Sequence, residues 1–444
     1  MPFISIDQEG GNTVRIKDKT TFYPGHMTIS ATKLENAKII GHMMGQHLIS
    51  LGINMNFAPL LDPKNPIIGI RSFSDRPEIV SKYGIEMIKG MQEEGIIATA
   101  KHFPGHGDTE IDSHLGLPVV PFDKKRLYNM ELRPFKDAIN KGVNNIMTAH
   151  IIFKKVDPKN PATISKKILR DILRKDLNYS GIVTSDSMKM KAISEGITTP
   201  IGVAKGIKAG LDLVIVSRNN SLILDSVKKL TKDVNDNIIS MEEIDEKIKR
   251  ILHFKKIVFS SMKTKFFNNK SNLNIFKNIS LSKTIQDIVD SSLTHVSGKR
   301  LELKGKTLLY GCIASPVNRQ DDIKNKNIID LIKKELPTFN TLEFKLGEYS
   351  KELVKKASKY DTVIFIAFNA FADESQSKMI NEINKISSNF YVISIRTPYD
   401  YLVLDKNINY YTMYECTPNS MKTIVKFLKG EIEAKGKLPI KLKK

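Results

Sequence analysis

The densest run of acid–base side chains in the sequence lies in the segment Lys101–His114. Within it, His102 and His106 are four residues apart, the spacing at which a helix presents two histidines to zinc. The intervening Pro104-Gly105 breaks such a helix, because proline removes a backbone donor and clashes with the preceding turn. The sequence therefore disfavours a helical zinc-protease site.

Two kinds of chemistry remain open for the rest of this segment. Asp108, Asp112 and His114 could ligate a metal from a loop. Alternatively, Asp112 accepts a hydrogen bond from one ring nitrogen of His114 and fixes its tautomer, so that the other nitrogen moves a proton near neutral pH. We expect the acid/base loop, with no metal and no organic cofactor.

Asp186 is a second candidate, because it directly follows the apolar run Gly181-Ile182-Val183-Thr184-Ser185. A buried strand would deliver this carboxylate to the edge of a sheet, although an aspartate in this place can also cap the next helix. Together with the loop of Asp112 and His114, it favours a nucleophile and an acid/base that act on one bond.

Polar side chains follow five successive apolar runs in the first half of the chain. In a parallel βα barrel the carboxyl ends of the strands converge at one edge, and active sites are built there. One such residue could be a helix cap, but five together indicate a site. They are Asp7, Asp62, the pair Lys101 and His102, His150, and Asp186.

Short β-rich runs alternate with amphipathic stretches up to about residue 260, which is typical of an α/β protein with a parallel sheet. We predict strands near 2–7, 53–59, 96–103, 144–150, 181–186 and 211–217, and helices that include 32–50, 78–94, 125–140 and 165–177. The predicted organisation is a TIM-like (β/α) barrel over 1–262, a linker with a helix over 263–300, and a smaller α/β three-layer sandwich domain over 301–444.

Eight strands close a barrel of this kind, and only six are predicted here. The chain also starts abruptly, with Met1-Pro2 directly before the first strand and no export signal. We therefore expect that the first βα unit is missing from this chain and that an export signal or lipid anchor could have been lost with it. The sequence leaves the cellular location open.

The composition is that of a globular protein of 444 residues, with 41% hydrophobic and 26% charged residues. Two cysteines exclude a disulfide framework. The net charge of +21 at pH 7 is spread along the chain, which favours a solvated basic surface over a nucleic-acid interface and leaves an anionic polymer such as cell-wall material as the alternative. No apolar run is long enough for a membrane span.

Several motifs resemble those of the bacterial β-N-acetylglucosaminidases of glycoside hydrolase family 3. They are Ile6-Asp7-Gln8-Glu9-Gly10-Gly11 with Arg15, Phe57-Ala58-Pro59-Leu60-Leu61-Asp62, Gly69-Ile70-Arg71-Ser72-Phe73, the segment Lys101–His114, and Thr184-Ser185-Asp186. The resemblance runs from residue 1 to about 260. More weakly, Ile395-Arg396-Thr397-Pro398-Tyr399-Asp400 and Gly436-Lys437-Leu438-Pro439 are similar to the second domain of two-domain members.

The resemblance implies a role for each matching position. Asp186 would be the nucleophile, and His114, paired with Asp112, the general acid/base. The residues that would bind the terminal sugar are Asp7, Arg15, Arg71, Lys101 and His102.

The expected activity is removal of terminal β-linked N-acetylglucosamine from peptidoglycan fragments or related glycans, with retained configuration. The expected partner is this carbohydrate substrate and not nucleic acid, and the sequence leaves the oligomeric state open. Three alternatives stay open: a β-glucosidase of the same family, a glycoside phosphorylase, and a non-catalytic protein that binds sugar or the cell wall.

Overall fold

The computed structural model describes residues 1–16, 22–63, 68–106, 117–190, 193, 196–267, 279–315 and 326–442, and these residues form two units. The first unit comprises Met1–Gln8 and Ala37–Lys277, and the second comprises Glu9–Asn36 and Asn278–Lys444. The segment Glu9–Asn36 therefore packs with the C-terminal part of the chain. The domain boundaries at 262 and 301 stay a prediction.

The first unit is built on a parallel sheet of six described strands, whose spatial order follows the chain. Its central strand, Ile97–Phe103, is buried along its whole length, as expected for a parallel strand that is covered on both faces. In chain order the strands are β1 (Ser5–Ile6), β2 (Met55–Asn56), β3 (Ile97–Phe103), β4 (Val119–Val120), β5 (Asn145–Thr148), β6 (Ile152–Phe153), β7 (Ile182–Ser187) and β8 (Leu213–Ile215), of which β4 and β6 pair separately.

Helices connect the strands of this sheet, and most begin where the sequence supplies a start signal. Pro77 opens one helix, and the side chains of Asn219 and Ser240 accept hydrogen bonds from the first turns of two others. The longer helices are Glu35–Ser50, Pro77–Glu93, Lys124–Asn129, Arg133–Asn140, Lys167–Asp176, which is a π-helix, Thr199–Ala209, Asn220–Asn235 and Met241–Met262.

Two glycines let the first two of these helices approach closely. A Cβ at Gly41 would collide with the Met87 carbonyl oxygen, and one at Gly90 would collide with the Lys38 carbonyl oxygen. The helices Glu35–Ser50 and Pro77–Glu93 thus pack backbone against backbone, which fixes them behind β2 and β3.

The second unit has its own sheet, in the order β13-β10-β14-β15-β16-β9. The strands are parallel except β9, which runs antiparallel to β16. They are β9 (Thr294–Ser297), β10 (Thr307–Gly311), β11 (Ile313–Ala314), β12 (Lys326–Asn327), β13 (Asn340–Glu343), β14 (Thr362–Ala367), β15 (Phe390–Ser394) and β16 (Asn409–Thr412), with β11 and β12 forming a separate pair. The helices of this unit are His26–Ser30, Ile279–Asp290, Ile328–Glu335, Lys351–Lys356, Glu374–Ile386 and Pro418–Leu428.

The structure confirms the α/β class and the six predicted strands of the first sheet. Among the described residues, β1 and β8 form the two edges of this sheet, and the missing first βα unit stays a prediction. The single helix predicted over 125–140 is wrong: it divides into Lys124–Asn129 and Arg133–Asn140, because Pro134 starts a new helix. The strand β9 was not predicted and lies within the segment 263–300.

Candidate active site

A buried aspartate in the loop after β2 binds the end of β3 and the residues that follow it. Asp62 is fully buried, and its Oδ2 lies 2.8 Å from Nδ1 of His102. The same carboxylate accepts hydrogen bonds from the backbone N–H groups of His102, at 3.1 Å, and of His106, at 2.7 Å. One side chain therefore fixes both the backbone and the ring of the histidine at the end of β3.

The electrostatics of this contact determine the tautomer of His102. Burial favours a raised pKa for the Asp62 carboxyl, but His102 and His106 outweigh it and lower that pKa below its ordinary value. An ionised carboxylate only accepts hydrogen bonds, so Nδ1 of His102 carries a proton. The other ring nitrogen, Nε2, is left to meet a ligand.

Lys101 and Asp7 form an ion pair at the same edge of the sheet. The Lys101 Nζ lies 2.9 Å from the Asp7 Oδ1. The lysine side chain is only 3% exposed, whereas the aspartate side chain is 40% exposed. A buried ammonium thus lies beside a more accessible carboxylate. Together they offer a donor and an acceptor, which are the two partners that a sugar hydroxyl requires.

Asp186 lies near the end of β7 and is half-buried. Its Oδ1 accepts a hydrogen bond of 2.7 Å from the backbone N–H of Ser187. Burial favours a raised pKa for the Asp186 carboxyl, but His102, His150, the Ser187 N–H and Lys101 together hold that pKa below its ordinary value. The carboxylate is ionised near neutral pH, which is the form a nucleophile requires.

The structure brings together four of the predicted site residues. Asp7, Lys101, His102 and Asp186 lie at the carboxyl ends of β1, β3 and β7, the edge at which the sequence placed them. Arg71 ends the short helix Gly69–Arg71 of the first unit. Arg15 is exposed and belongs to the second unit.

The predicted acid/base pair, Asp112 and His114, lies outside the described residues, as does Asp108 of the alternative metal site. Within the ranges that the structure describes, no three His, Cys, Asp or Glu side chains are grouped as metal ligands. His102 and His106 are both buried, with ring centres 6.1 Å apart and nearly perpendicular rings.

Two residues with contacts in this site were not assigned a role from the sequence. Asp62 and His150 were recognised as polar residues at strand ends, but their partners lie far away along the chain. Their strand-end positions place them with the other three polar groups at one edge of the sheet, and this shared position is the signal from which a role in the site could have been predicted.

In the described part of the chain, every helix is too short or too polar to cross a bilayer.

Comparison with known proteins shows the family to which this chain is similar. The family described as glycosyl hydrolase family 3 N terminal domain matches residues 2–254. A structure of a glycoside hydrolase family 3 beta-N-acetylglucosaminidase from Paenibacillus sp. is 31% identical, with a TM-score of 0.85, and the alignment covers 99% of this chain and 86% of that one.

Two curated relatives, both beta-hexosaminidases, are similar to shorter parts of this chain. The beta-hexosaminidase A of Pseudoalteromonas piscicida is 32% identical over 380 residues, which cover 79% of this chain and 59% of that protein. A beta-hexosaminidase of Haemophilus influenzae is 36% identical over 236 residues, which cover 51% of this chain and 67% of that protein. The chain thus spans less than two thirds of the first relative. Because the family match covers more than half of its residues, the chain belongs to glycoside hydrolase family 3.

Proposed function

We propose that this protein is a retaining glycoside hydrolase that removes terminal β-linked N-acetylglucosamine from peptidoglycan fragments or related glycans. The observation that carries the proposal is the Asp186 carboxylate, held ionised at the end of β7 by the surrounding Lys101, His102 and His150. The similarity to the Paenibacillus beta-N-acetylglucosaminidase supports the choice of sugar.

In the proposed first step, the Asp186 carboxylate attacks the anomeric carbon and forms a glycosyl-enzyme ester. The bond from that carbon to the leaving oxygen breaks, and the leaving oxygen takes a proton from His114. In the second step water attacks the same carbon, gives its proton to His114, and displaces Asp186. Two inversions at one carbon retain the configuration.

A histidine acid/base departs from the pair of carboxylates that most glycosidases use. In this proposal Asp112 orients the His114 ring, as the family resemblance implies. After it gives up its proton the ring is neutral, so it does not repel an anionic acceptor, as a second carboxylate would.

The sugar-binding part of the proposal uses the groups around Asp186. Lys101 and Asp7 offer a donor and an acceptor to neighbouring hydroxyls, and His102 offers Nε2 because Asp62 occupies its Nδ1. Arg71 and Arg15 complete the set by resemblance.

The test is hydrolysis of an aryl N-acetyl-β-glucosaminide that releases a chromogenic phenol, compared with the matching glucoside. Turnover of the glucosaminide without phosphate supports the proposal, and a preference for the glucoside would replace it with a β-glucosidase. Turnover that requires phosphate would indicate a phosphorylase. Binding without turnover would indicate a sugar-binding protein. EDTA should have no effect on activity. A loss of activity that zinc restores would instead support the metal site considered for Asp108, Asp112 and His114.

A further inference from the structure

His150 lies just beyond β5 and is 1% exposed. The reaction proposed above counts it among the charged groups near Asp186 and gives it no step, yet both of its ring nitrogens are engaged. Nε2 lies 3.0 Å from the Ser187 carbonyl oxygen, and Nδ1 lies 2.7 Å from the Thr163 Oγ1. A buried histidine with two partners in fixed places is held for its orientation rather than for packing alone.

The hydrogens of these contacts can be assigned from their chemistry. A carbonyl oxygen only accepts, so Nε2 of His150 must carry a proton and donate it to Ser187. The Thr163 hydroxyl has one proton and faces two acceptors, the Ala149 carbonyl oxygen at 2.9 Å and Nδ1 of His150. If that proton goes to Ala149, Nδ1 must carry its own and the ring is cationic. The same heavy-atom positions are therefore compatible with both the neutral and the charged ring of His150.

The residue held by His150 is the one that follows the proposed nucleophile. Ser187 donates its backbone N–H to Oδ1 of Asp186 at 2.7 Å, and its Oγ lies 2.7 Å from the Oγ of Ser217. Residue 187 is thus fixed at its amide, its hydroxyl and its carbonyl. His150 supplies one of the two contacts to this carbonyl, and the Met190 backbone N–H supplies the other at 3.0 Å.

We propose that His150 is a positioning residue for Asp186, which it orients by holding the Ser187 carbonyl. This inference rests on the proposed role of Asp186 as the nucleophile. The effect is mechanical, because loss of one of the two contacts to the Ser187 carbonyl would loosen the N–H that fixes Oδ1. It is also electrostatic, because the ring faces the carboxylate.

The charged groups around Asp186 make the electrostatic part measurable. Lys101 and His102 face it from β3 and His150 faces it from beyond β5, and all three lower the pKa of its carboxyl. Asp7 and Asp62 lie behind the first two, as partners of Lys101 and His102. Removal of His150 takes away one of the three favourable groups, so the pKa of Asp186 should rise.

Two substitutions separate the two effects. His150→Ala removes both the donor and the ring. His150→Gln keeps an N–H that can reach the Ser187 carbonyl but removes the titratable ring. On an activated aryl glucosaminide we expect kcat of His150→Ala to fall by about 10–100-fold, with KM within about threefold, since a small misplacement of a reacting group costs this much. His150→Gln should recover most of kcat.

The pH dependence is the readout that a purely structural role would not move. The acid limb of kcat/KM should shift upward by about 0.5–1 pH unit in both variants. His47→Gln, which replaces a buried histidine of the helix Glu35–Ser50, is the matched control and should leave the limb in place. The inference would be overturned if the acid limb stayed in place in both His150 variants and His150→Gln did not recover kcat. His150 would then have a purely structural role.

A second measurement does not depend on activity. In protein labelled with ¹³C at the aspartate carboxyl groups, the signal that disappears in Asp186→Asn reports the pKa of Asp186, and it should titrate higher in His150→Gln than in the wild type. An unchanged titration would overturn the inference. Failure of the proposed function would be distinct, because a fluorinated sugar that traps the glycosyl-enzyme would then leave Asp186 unlabelled even in the wild type.

Discussion

Each of the two units carries buried or half-buried carboxylates near the carboxyl ends of parallel strands, and the two sets differ in their partners. In the first unit, Asp62 and Asp186 face histidines and a lysine, which lower the pKa of both carboxyls. In the second unit, Asp400 and Glu415 meet mainly hydroxyl and backbone N–H groups, and burial raises the pKa of both.

The details of the second set show carboxylates that hold the chain together. Glu415 Oε2 accepts from the Gly25 N–H at 2.6 Å and from the Thr28 hydroxyl at 2.7 Å, and Oε1 accepts from the Thr417 hydroxyl at 2.8 Å. The bonds from Gly25 and Thr28 join residues almost 400 positions apart. Burial alone therefore does not mark a catalytic carboxylate, and nearby cations that keep it ionised are the more specific sign.

The largest effect on turnover is expected when one carboxylate from each unit is replaced and the two variants are compared. Asp186→Asn preserves volume but removes the negative charge, so turnover should fall by about 10⁴-fold or more. Asp400→Asn makes the same chemical change in the second unit and should leave turnover of the aryl glucosaminide within about twofold. Steady-state kinetics of the two variants, with folding checked by circular dichroism, decide the point.

Near wild-type turnover in Asp186→Asn would contradict its role as nucleophile. A fluorinated glycosyl donor should label the peptide that contains Asp186, and a label on another carboxylate would transfer the assignment there.

The proton donor should give the next largest effect. His114→Ala should lower turnover by about 10²–10⁴-fold for substrates with poor leaving groups and much less for activated ones, because only the former need protonation as the bond breaks. Asp112→Ala should have a milder effect of the same kind. The measurement is a series of aryl glucosaminides of graded leaving-group pKa. Equal losses across the series would mean that His114 binds substrate rather than transferring protons.

A smaller effect is expected when the support of His102 is removed. In Asp62→Asn, an amide N–H₂ faces N–H groups that donate to the carboxylate in the wild type. Two donors cannot bond to each other, so His102 should lose its orientation and kcat/KM should fall by about 10²-fold. Glu415→Gln is the matched variant in the second unit, and it should leave kcat/KM within about twofold. Equal losses in the two variants would remove the distinction between the two sets of carboxylates.

The strands and the strand-end residues could be predicted from the sequence because both depend on local pattern. The run Ile182–Ser187 begins with the apolar residues Ile182 and Val183 and ends in polar ones, so its position and the place of Asp186 follow together. Lys101 and His102 are placed by the same reasoning at the end of Ile97–Phe103.

The pairing of Asp62 with His102 and the contacts of Glu415 could not be predicted, because they join residues that are 40 and up to 390 positions apart. Such contacts depend on how strands and loops are placed against one another, which no local pattern encodes. The strand Thr294–Ser297 was missed for a related reason: its short polar sequence forms a strand only because Tyr410–Thr412 offers an edge to pair with.

The smallest expected effect concerns stability rather than turnover, and it isolates the second set of carboxylates. Burial raises the pKa of Asp400 to about 6. Its Oδ1 accepts the Phe371 N–H at 2.9 Å, and its Oδ2 lies 2.6 Å from the Oγ of Ser394, which also lies 2.8 Å from the Thr397 carbonyl oxygen. The Ser394 hydroxyl has one proton for two acceptors, so a protonated Asp400 that donates to Ser394 satisfies all three groups.

This arrangement fixes the sign of the pH dependence. A carboxyl whose pKa is higher in the folded than in the unfolded chain contributes stability that is complete below the unfolded value and is lost as the pH rises through about 6. Asparagine can make the same contacts, with its oxygen toward Phe371 and its N–H₂ toward Ser394, and it does not titrate. The free energy of unfolding of Asp400→Asn should therefore decline less between pH 4.5 and 7 than that of the wild type, by on the order of 1–3 kcal/mol. Urea denaturation at the two pH values measures this difference, with Asp330→Asn on the exposed face of the helix Ile328–Glu335 as the control. Parallel declines in Asp400→Asn and the wild type would show that Asp400 is already ionised in the folded protein, and the contrast between the two sets of carboxylates would then rest on Glu415 alone.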